Sequence, residues 1–220
     1  MKIYAINGSP RKGWNTETML QNFLDGASSV SSSVETQMVH LYDLNYKGCI
    51  SCFGCQRDND STYGQCQVKD GIYDLLRDVP LSDGVAFASP IYLHDLTAGL
   101  RAFIERLVYQ YLSFEVNKEK NNAPKRLYTA MIYTMNVSEE VMKRDGYPLV
   151  FDAVERFLRI TFEEQPLRLC AYNTYQFNEY SKYRVSYWNE PQKAEWRRTQ
   201  FPLDCRAAYN AGRDMALKIL

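Results

Sequence analysis

Histidine is nearly absent: His40 and His94 are the only two in 220 residues. Neither shows the partners of a nucleophile–base pair, and no G-x-S-x-G elbow frames Ser9 or Ser89, which argues against a hydrolase. Both histidines read as ordinary loop or cap residues, His40 closing a strand and His94 standing beside Asp95. Net charge is also absent, with 26 basic side chains matched by 26 acidic ones. A balanced surface lacks the basic face that displaces phosphate counterions, so no nucleic-acid partner is expected. No apolar run reaches the roughly 18 residues that span a bilayer. The start, MKIYAINGSP, breaks too early at Gly8 and Pro10 for a secretory signal. The expected setting is therefore cytoplasmic, with no membrane partner. G-x-G-x-x-G and G-x-x-x-x-G-K-[ST] are missing as well, which disfavours a tightly held dinucleotide or nucleoside triphosphate.

What is present is a β-α-β-α rhythm. Lys2–Asn7 is an apolar run suited to a strand buried on both faces. Met19, Leu20, Phe23 and Leu24 fall at helical spacing within a helix expected from Asn15 to about Ser28. Further strands are expected at Val34–Tyr42, Gly84–Ala88, Arg126–Tyr133 and Leu167–Tyr172. Helices are expected at Asp70–Val79 (Ile72, Leu75 and Leu76 inward), Leu96–Leu112, Tyr147–Phe162 and Asp204–Leu220. The third of these carries Val150, Val154, Phe157 and Leu158 on one side; the last turns Ala208, Ala211, Met215 and Leu217 or Ile219 inward. Five such strands predict an α/β doubly wound parallel sheet of order 2-1-3-4-5. Residues 1–172 form the expected domain. Residues 173–220 form an aromatic arm and closing helix, packed on that domain or on a subunit interface.

The segment GSPRKGWNT between the first strand and helix is built for an anion. Backbone N–H groups at a helix start are unpaired and partly positive. Ser9, Asn15 and Thr16 add donors, Arg11 or Lys12 adds charge at the rim, and a mononucleotide such as FMN fits better than a dinucleotide. Read alone, the segment also suits an ordinary turn with Asn15 capping the helix.

Cys49, Cys52, Cys55 and Cys66 form the second chemical feature, two CxxC steps followed by a fourth thiol after ten residues. In a reducing compartment such thiols are metal ligands or redox groups before they are structural disulfides. The spacing leaves four readings open: a [4Fe–4S] cluster, free thiols shaping a loop, zinc, and disulfide redox chemistry. Cys170 and Cys205, in apolar surroundings, read as core residues.

The chain resembles the flavodoxin-like NADPH-dependent FMN reductases and, more narrowly, the iron–sulfur flavoproteins. The matching blocks are GSPRKGWNT at 8–16, the cysteine run at 49–66, SPIYLHDLTAGLRAFIERL at 89–107, IYTMNV at 132–137 and NTYQFNEYSKY at 173–183. The resemblance implies FMN held by three loops. Ser9, Arg11, Asn15 and Thr16, with Lys12 at the rim, would take the phosphate. Ser89, Pro90, Ile91 and Tyr92 would line the ring and offer it backbone N–H groups, with His94 close by. Tyr133, Thr134, Met135 and Asn136 would form the third wall. It also implies that Cys49, Cys52, Cys55 and Cys66 ligate a cluster, although the gap before Cys66 is longer than in that family's compact motif.

The expected function is an FMN-dependent oxidoreductase that takes hydride from NAD(P)H and serves a quinone, a flavin or another small acceptor. The alternative is an electron-transfer protein between ferredoxin-like donors and a further acceptor; a third reading is a metal- or flavin-sensing interaction module. A homodimer or homotetramer is the expected assembly, because the aromatic arm (Tyr172, Tyr175, Phe177, Tyr180, Tyr183, Tyr187, Trp188, Trp196) suits a subunit contact as well as surface packing.

Overall fold

Near-continuous apolar runs on the central strands call for a sheet covered on both faces, and the computed structural model shows that arrangement. It describes residues 1–58, 61–116 and 122–220. Strands β1 (Lys2–Asn7), β2 (Glu35–His40), β3 (Gly84–Pro90), β4 (Tyr128–Thr134) and β5 (Leu167–Ala171) run parallel in the order β2-β1-β3-β4-β5. Helices α1 (Asn15–Ser28) and α7 (Phe201–Ile219) cover one face. There the strands present Ile3, Ala5, Ala86, Ala88, Ala130 and Ile132, mostly small residues that let helices lie close. Helices α2 (Leu75–Asp78), α3 (Ala98–Tyr109) and α5 (Tyr147–Phe162) cover the other, packing on the larger Tyr4, Ile6, Val85, Phe87, Met131 and Tyr133. Two shorter helices, α4 (Glu139–Arg144) and α6 (Glu190–Thr199), follow β4 and the arm.

Helices α1 and α7 meet backbone to backbone. A methyl group on Gly26 would stand 1.9 Å from the Tyr209 carbonyl oxygen, and one on Gly212 would stand 1.8 Å from that of Phe23. Only glycine permits this crossing.

Several expectations need correction. The helix expected over Asp70–Val79 is confined to four residues, because the preceding backbone is used elsewhere. The Gly71 N–H donates to the Asn45 carbonyl and the Asp70 carboxylate is held by Arg106. Ile72 and Leu76 are nonetheless buried. On α5 the inward stripe is Tyr147, Phe151, Val154, Leu158 and Phe162, leaving Phe157 half-exposed. On α7 Leu217 faces outward and Ile219 packs inward. Helix α6 carried a sequence signal that aromatic content obscured: the Asn189 side chain accepts from the Gln192 N–H, with Pro191 in the first turn.

Candidate functional site

The sheet reverses its winding between β1 and β3, and a cleft opens there at the carboxyl ends of the strands. Its floor comes from the loop after β1. Asn7 Oδ1 accepts from the Ser9 N–H at 2.9 Å, and the Ser9 hydroxyl accepts from the Arg11 N–H at 3.1 Å, which curls the backbone toward α1. Gly13 takes φ +70°, and its N–H donates to the Glu17 carboxylate at 2.9 Å. Asn15 does not cap α1. Trp14 occupies the cap position without a side-chain bond, and Asn15 Nδ2 donates to the Tyr175 carbonyl at 2.8 Å. The first turn of α1 therefore opens uncapped onto the cleft, lined there by Asn15 and Thr16.

The other walls are stiff because strand pairing runs on past the strand ends. The Ile91 N–H donates to Thr134 O, Met135 N–H to Ala171 O, and Thr174 N–H to Met135 O, each at 2.9 Å. Pro90, Ile91 and Tyr92 form one side, Thr134, Met135 and Asn136 the second, and Thr174, Tyr175 and Gln176 of the arm a third. The cleft has a volume of about 130 Å³ and is open to solvent between these walls. Among the described residues, no acidic side chain lines it, whereas Arg11 does.

Three residues expected in the site lie outside this cleft. Lys12 pairs with Asp43 at 2.6 Å on the surface. Ser89 is fully buried behind the loop, its hydroxyl accepting from the Thr97 N–H and donating to the Pro90 carbonyl. Tyr133 points to the opposite sheet face, stacked on Phe151 at 3.9 Å with its hydroxyl donating to Glu155. Neighbouring strand residues face opposite ways, so Thr134 reaches the cleft and Tyr133 cannot. The N–H groups of Ile91 and Tyr92 are also engaged, by Thr134 O and Asp95 O, so this loop presents side chains rather than those donors. Arg11 turns toward the arm, its guanidinium 3.3 Å from the Trp14 ring centroid and donating to the Gln176 carbonyl at 2.6 Å. His94, at φ +67°, lies tilted against the Tyr147 ring, centroids 4.4 Å apart. His40 meets the Asn7 side chain at 3.2 Å beneath the β1 loop. Trp14 and Thr174 to Gln176 are further wall residues; they lie within the blocks 8–16 and 173–183, but the sequence reading assigns no wall role at these positions.

The four clustered cysteines rim a second, small cavity of about 20 Å³, room for about one water, together with Phe53, Arg106 and Tyr109. Arg106, 2 % exposed, ties both ends of the cysteine loop to α3 by donating to the Lys47 carbonyl, the Val68 carbonyl and the Asp70 carboxylate. Burial pushes the Cys55 thiol up, and the neighbouring Cys66 adds to the effect. Among the described residues, no three Cys, His, Asp or Glu side chains converge closely enough to hold a metal ion. The thiols surround a space rather than meet at a point. Cys170 and Cys205 are partly buried against the two cores, and burial raises both thiols, Cys205 to about 11.

Residues 1–135 match the family described as NADPH-dependent FMN reductase. Among curated proteins, an iron–sulfur flavoprotein of Methanocaldococcus jannaschii is 26% identical over 123 residues, covering 56% of this chain and 60% of the relative. An iron–sulfur flavoprotein of Methanosarcina thermophila is 32% identical over 108 residues, covering 49% and 53%. The matches thus span little more than half the length of these relatives. Among solved structures, an NAD(P)H:quinone oxidoreductase from Methanothermobacter marburgensis superposes with TM-score 0.68 at 16% identity, covering 98% of this chain and 96% of that one. An azoreductase from Bacillus anthracis gives 0.63 at 13%, covering 97% and 99%. At such identities the structural likeness speaks to the fold. No helix among the described residues is long and apolar enough to cross a membrane.

Proposed function

Because this chain belongs to the NADPH-dependent FMN reductase family, we propose that its cleft holds FMN and that it works as an FMN-dependent oxidoreductase on a small acceptor. The observation that carries the reading is the uncapped first turn of α1, opening onto a cleft without acidic lining at the switch point of the sheet. That donor set suits a phosphate. Ser9, Asn15 and Thr16 would hold it, with Arg11 supplying positive charge from the arm side. Pro90, Ile91 and Tyr92 would flank one side of the ring, and Thr134, Met135 and Asn136 the other. The chemistry supplied by FMN when bound is acceptance of a hydride from NAD(P)H and delivery of its electrons to a quinone, a flavin or another small electrophile. The protein's part is to fix the ring between walls whose backbone is already hydrogen-bonded, and to leave room for nicotinamide to stack transiently. Anaerobic titration with FMN, followed by NADPH, tests this: flavin fluorescence is quenched at micromolar protein and the flavin absorbance bleaches within the mixing experiment. Absence of quenching would sink the flavin site. Quenching without bleaching by either nicotinamide, but with reduction by ferredoxin, selects an electron carrier.

A second reading concerns Cys49, Cys52, Cys55 and Cys66. Two CxxC steps and a fourth thiol on one loop suit a multi-iron cluster, where each iron takes one cysteine, better than a single metal ion, and the loop must open to admit it because the space between the thiols holds about one water. Such a group would give the flavin an electron partner. Iron and sulfide analysis of anaerobically purified protein tests it, with about four irons per chain expected; iron-free protein refutes it.

A further inference from the structure

Lys193 of α6 is buried to 2 % exposure, and among the described residues no carboxylate accompanies it. Its ammonium donates to the Asn136 carbonyl at 2.7 Å, to Asn173 Oδ1 at 3.1 Å and to the Thr174 carbonyl at 3.5 Å, and it stands 5.0 Å from the centroid of the Trp188 ring. Asn136 and Thr174 are wall residues of the cleft, one after β4 and one in the arm. A single side chain therefore spans the two walls from behind. It meets three acceptors, and only the ammonium form of lysine has three N–H donors; the neutral amine has two.

We propose that Lys193 is a positioning residue for the cleft, holding the 134–137 loop against the arm so that the two walls close on the bound flavin. The inference rests on the FMN reading of that cleft. Burying an unpaired cation costs the fold stability, so a residue placed this way opposes folding while it shapes the site. Its environment agrees. Burial alone draws its pKa down to about 8, with no charged group acting on it from α6, the arm or the loops after β4 and β5. Glu190 on the same helix is instead bonded to the Tyr175 hydroxyl, and Arg197 lies over the Tyr175 ring. As pH rises through 8, the ammonium loses the third donor and the wall loses one of its bonds.

The test measures FMN affinity by fluorescence quenching, for wild type and K193M, between pH 7 and 9. At pH 7, K193M is expected to bind FMN about tenfold more weakly while melting at or above the wild-type temperature. A role in folding alone predicts the opposite pairing, with melting temperature lowered and affinity kept. Wild-type affinity is expected to fall severalfold from pH 7 to 9, and that of K193M to stay flat. K193Q, neutral but still a donor, recovers part of the affinity and none of the pH response. Unchanged affinity in K193M overturns the proposal. If K193M does not fold, the wild-type titration decides: a flat profile overturns it, a falling one supports it. If wild type binds no FMN at pH 7, the flavin reading fails by itself. Hydrogen exchange of residues 134–137 and 173–176 in the unliganded chains then decides Lys193, with faster exchange in K193M supporting the anchor and equal exchange refuting it.

Discussion

The hydroxyls of Thr16 and Thr134 lie 2.8 Å apart and share a buried hydrogen bond that joins the first turn of α1 to the end of β4. Two walls of the cleft are thereby fixed to each other. In T134V the Thr16 hydroxyl loses its partner in a buried setting, which costs about 1 kcal/mol. Urea denaturation checks that figure, and FMN titration is expected to show a fall in affinity of roughly five- to tenfold from the displaced turn.

Helices α1 and α7 leave no room for a methyl group at Gly212. G212A must push the helices apart, and overpacking of this kind costs about 3 kcal/mol. For a domain of this size the melting temperature should drop by roughly 6–12 °C. A melting temperature within about 2 °C of wild type would show that the crossing relaxes freely.

Leu93 is 99 % exposed and sits at φ +51°, next to His94 at φ +67°, in the turn closed by Tyr92 and Asp95. A left-handed leucine with no packing to hold it there is strained. L93G is expected to stabilise the protein by about 1 kcal/mol in chemical denaturation. Destabilisation would mean that the leucine makes a contact in solution that the isolated chain lacks.

Arg106 predicts the behaviour of the cysteine loop. R106M leaves the Asp70 carboxylate and two carbonyls without their donor, at a cost of about 3 kcal/mol. Both anchored ends of the loop are released together. Timed alkylation with mass spectrometry should show exposed Cys49 and Cys52 reacting first in wild type, with Cys55 and Cys66 catching up in R106M. Unchanged protection of Cys55 would show that the loop holds itself.

The pKa of Lys193, drawn down to about 8 from 10.5, sets a pH dependence of stability with a definite sign. Between those values the unfolded chain binds a proton there that the folded chain has released. Stability from this group therefore rises with pH across the window, and below pH 8 the folded state carries the full burial cost. Wild type should gain about 2 kcal/mol relative to K193M between pH 7.5 and 9.5, read from paired urea curves. Parallel curves would place the lysine in water.

Local patterns made most of the fold legible. The apolar run ending at Gly8 and the 3.6-residue spacing from Asn15 mark β1, its turn and α1, because these depend on neighbours in sequence. The arm's role was not legible, since Asn15 meets Tyr175 and Arg11 meets Gln176 across 160 and 165 positions. The family resemblance implies Ser89 and Tyr133 as part of whole loops and does not say which side chains of a loop face the cleft; strand alternation, read strictly, turns Tyr133 away from Thr134. The four cysteines were visible, but Arg106 was not, because a buried arginine in an amphipathic helix leaves no mark of its own.

The crossing of α1 and α7 has a consequence for the chain during synthesis. The helix that opens onto the cleft at its amino end is seated, two turns later, against backbone that the ribosome makes long after it. Until Gly212 has been made, the side of the sheet lined by Ile3, Ala86 and Ile132 lacks half its cover. A nascent chain that stops short of Gly212 would hold the loop after β1 on an unsupported helix, and the partly covered face is where a chaperone would be needed.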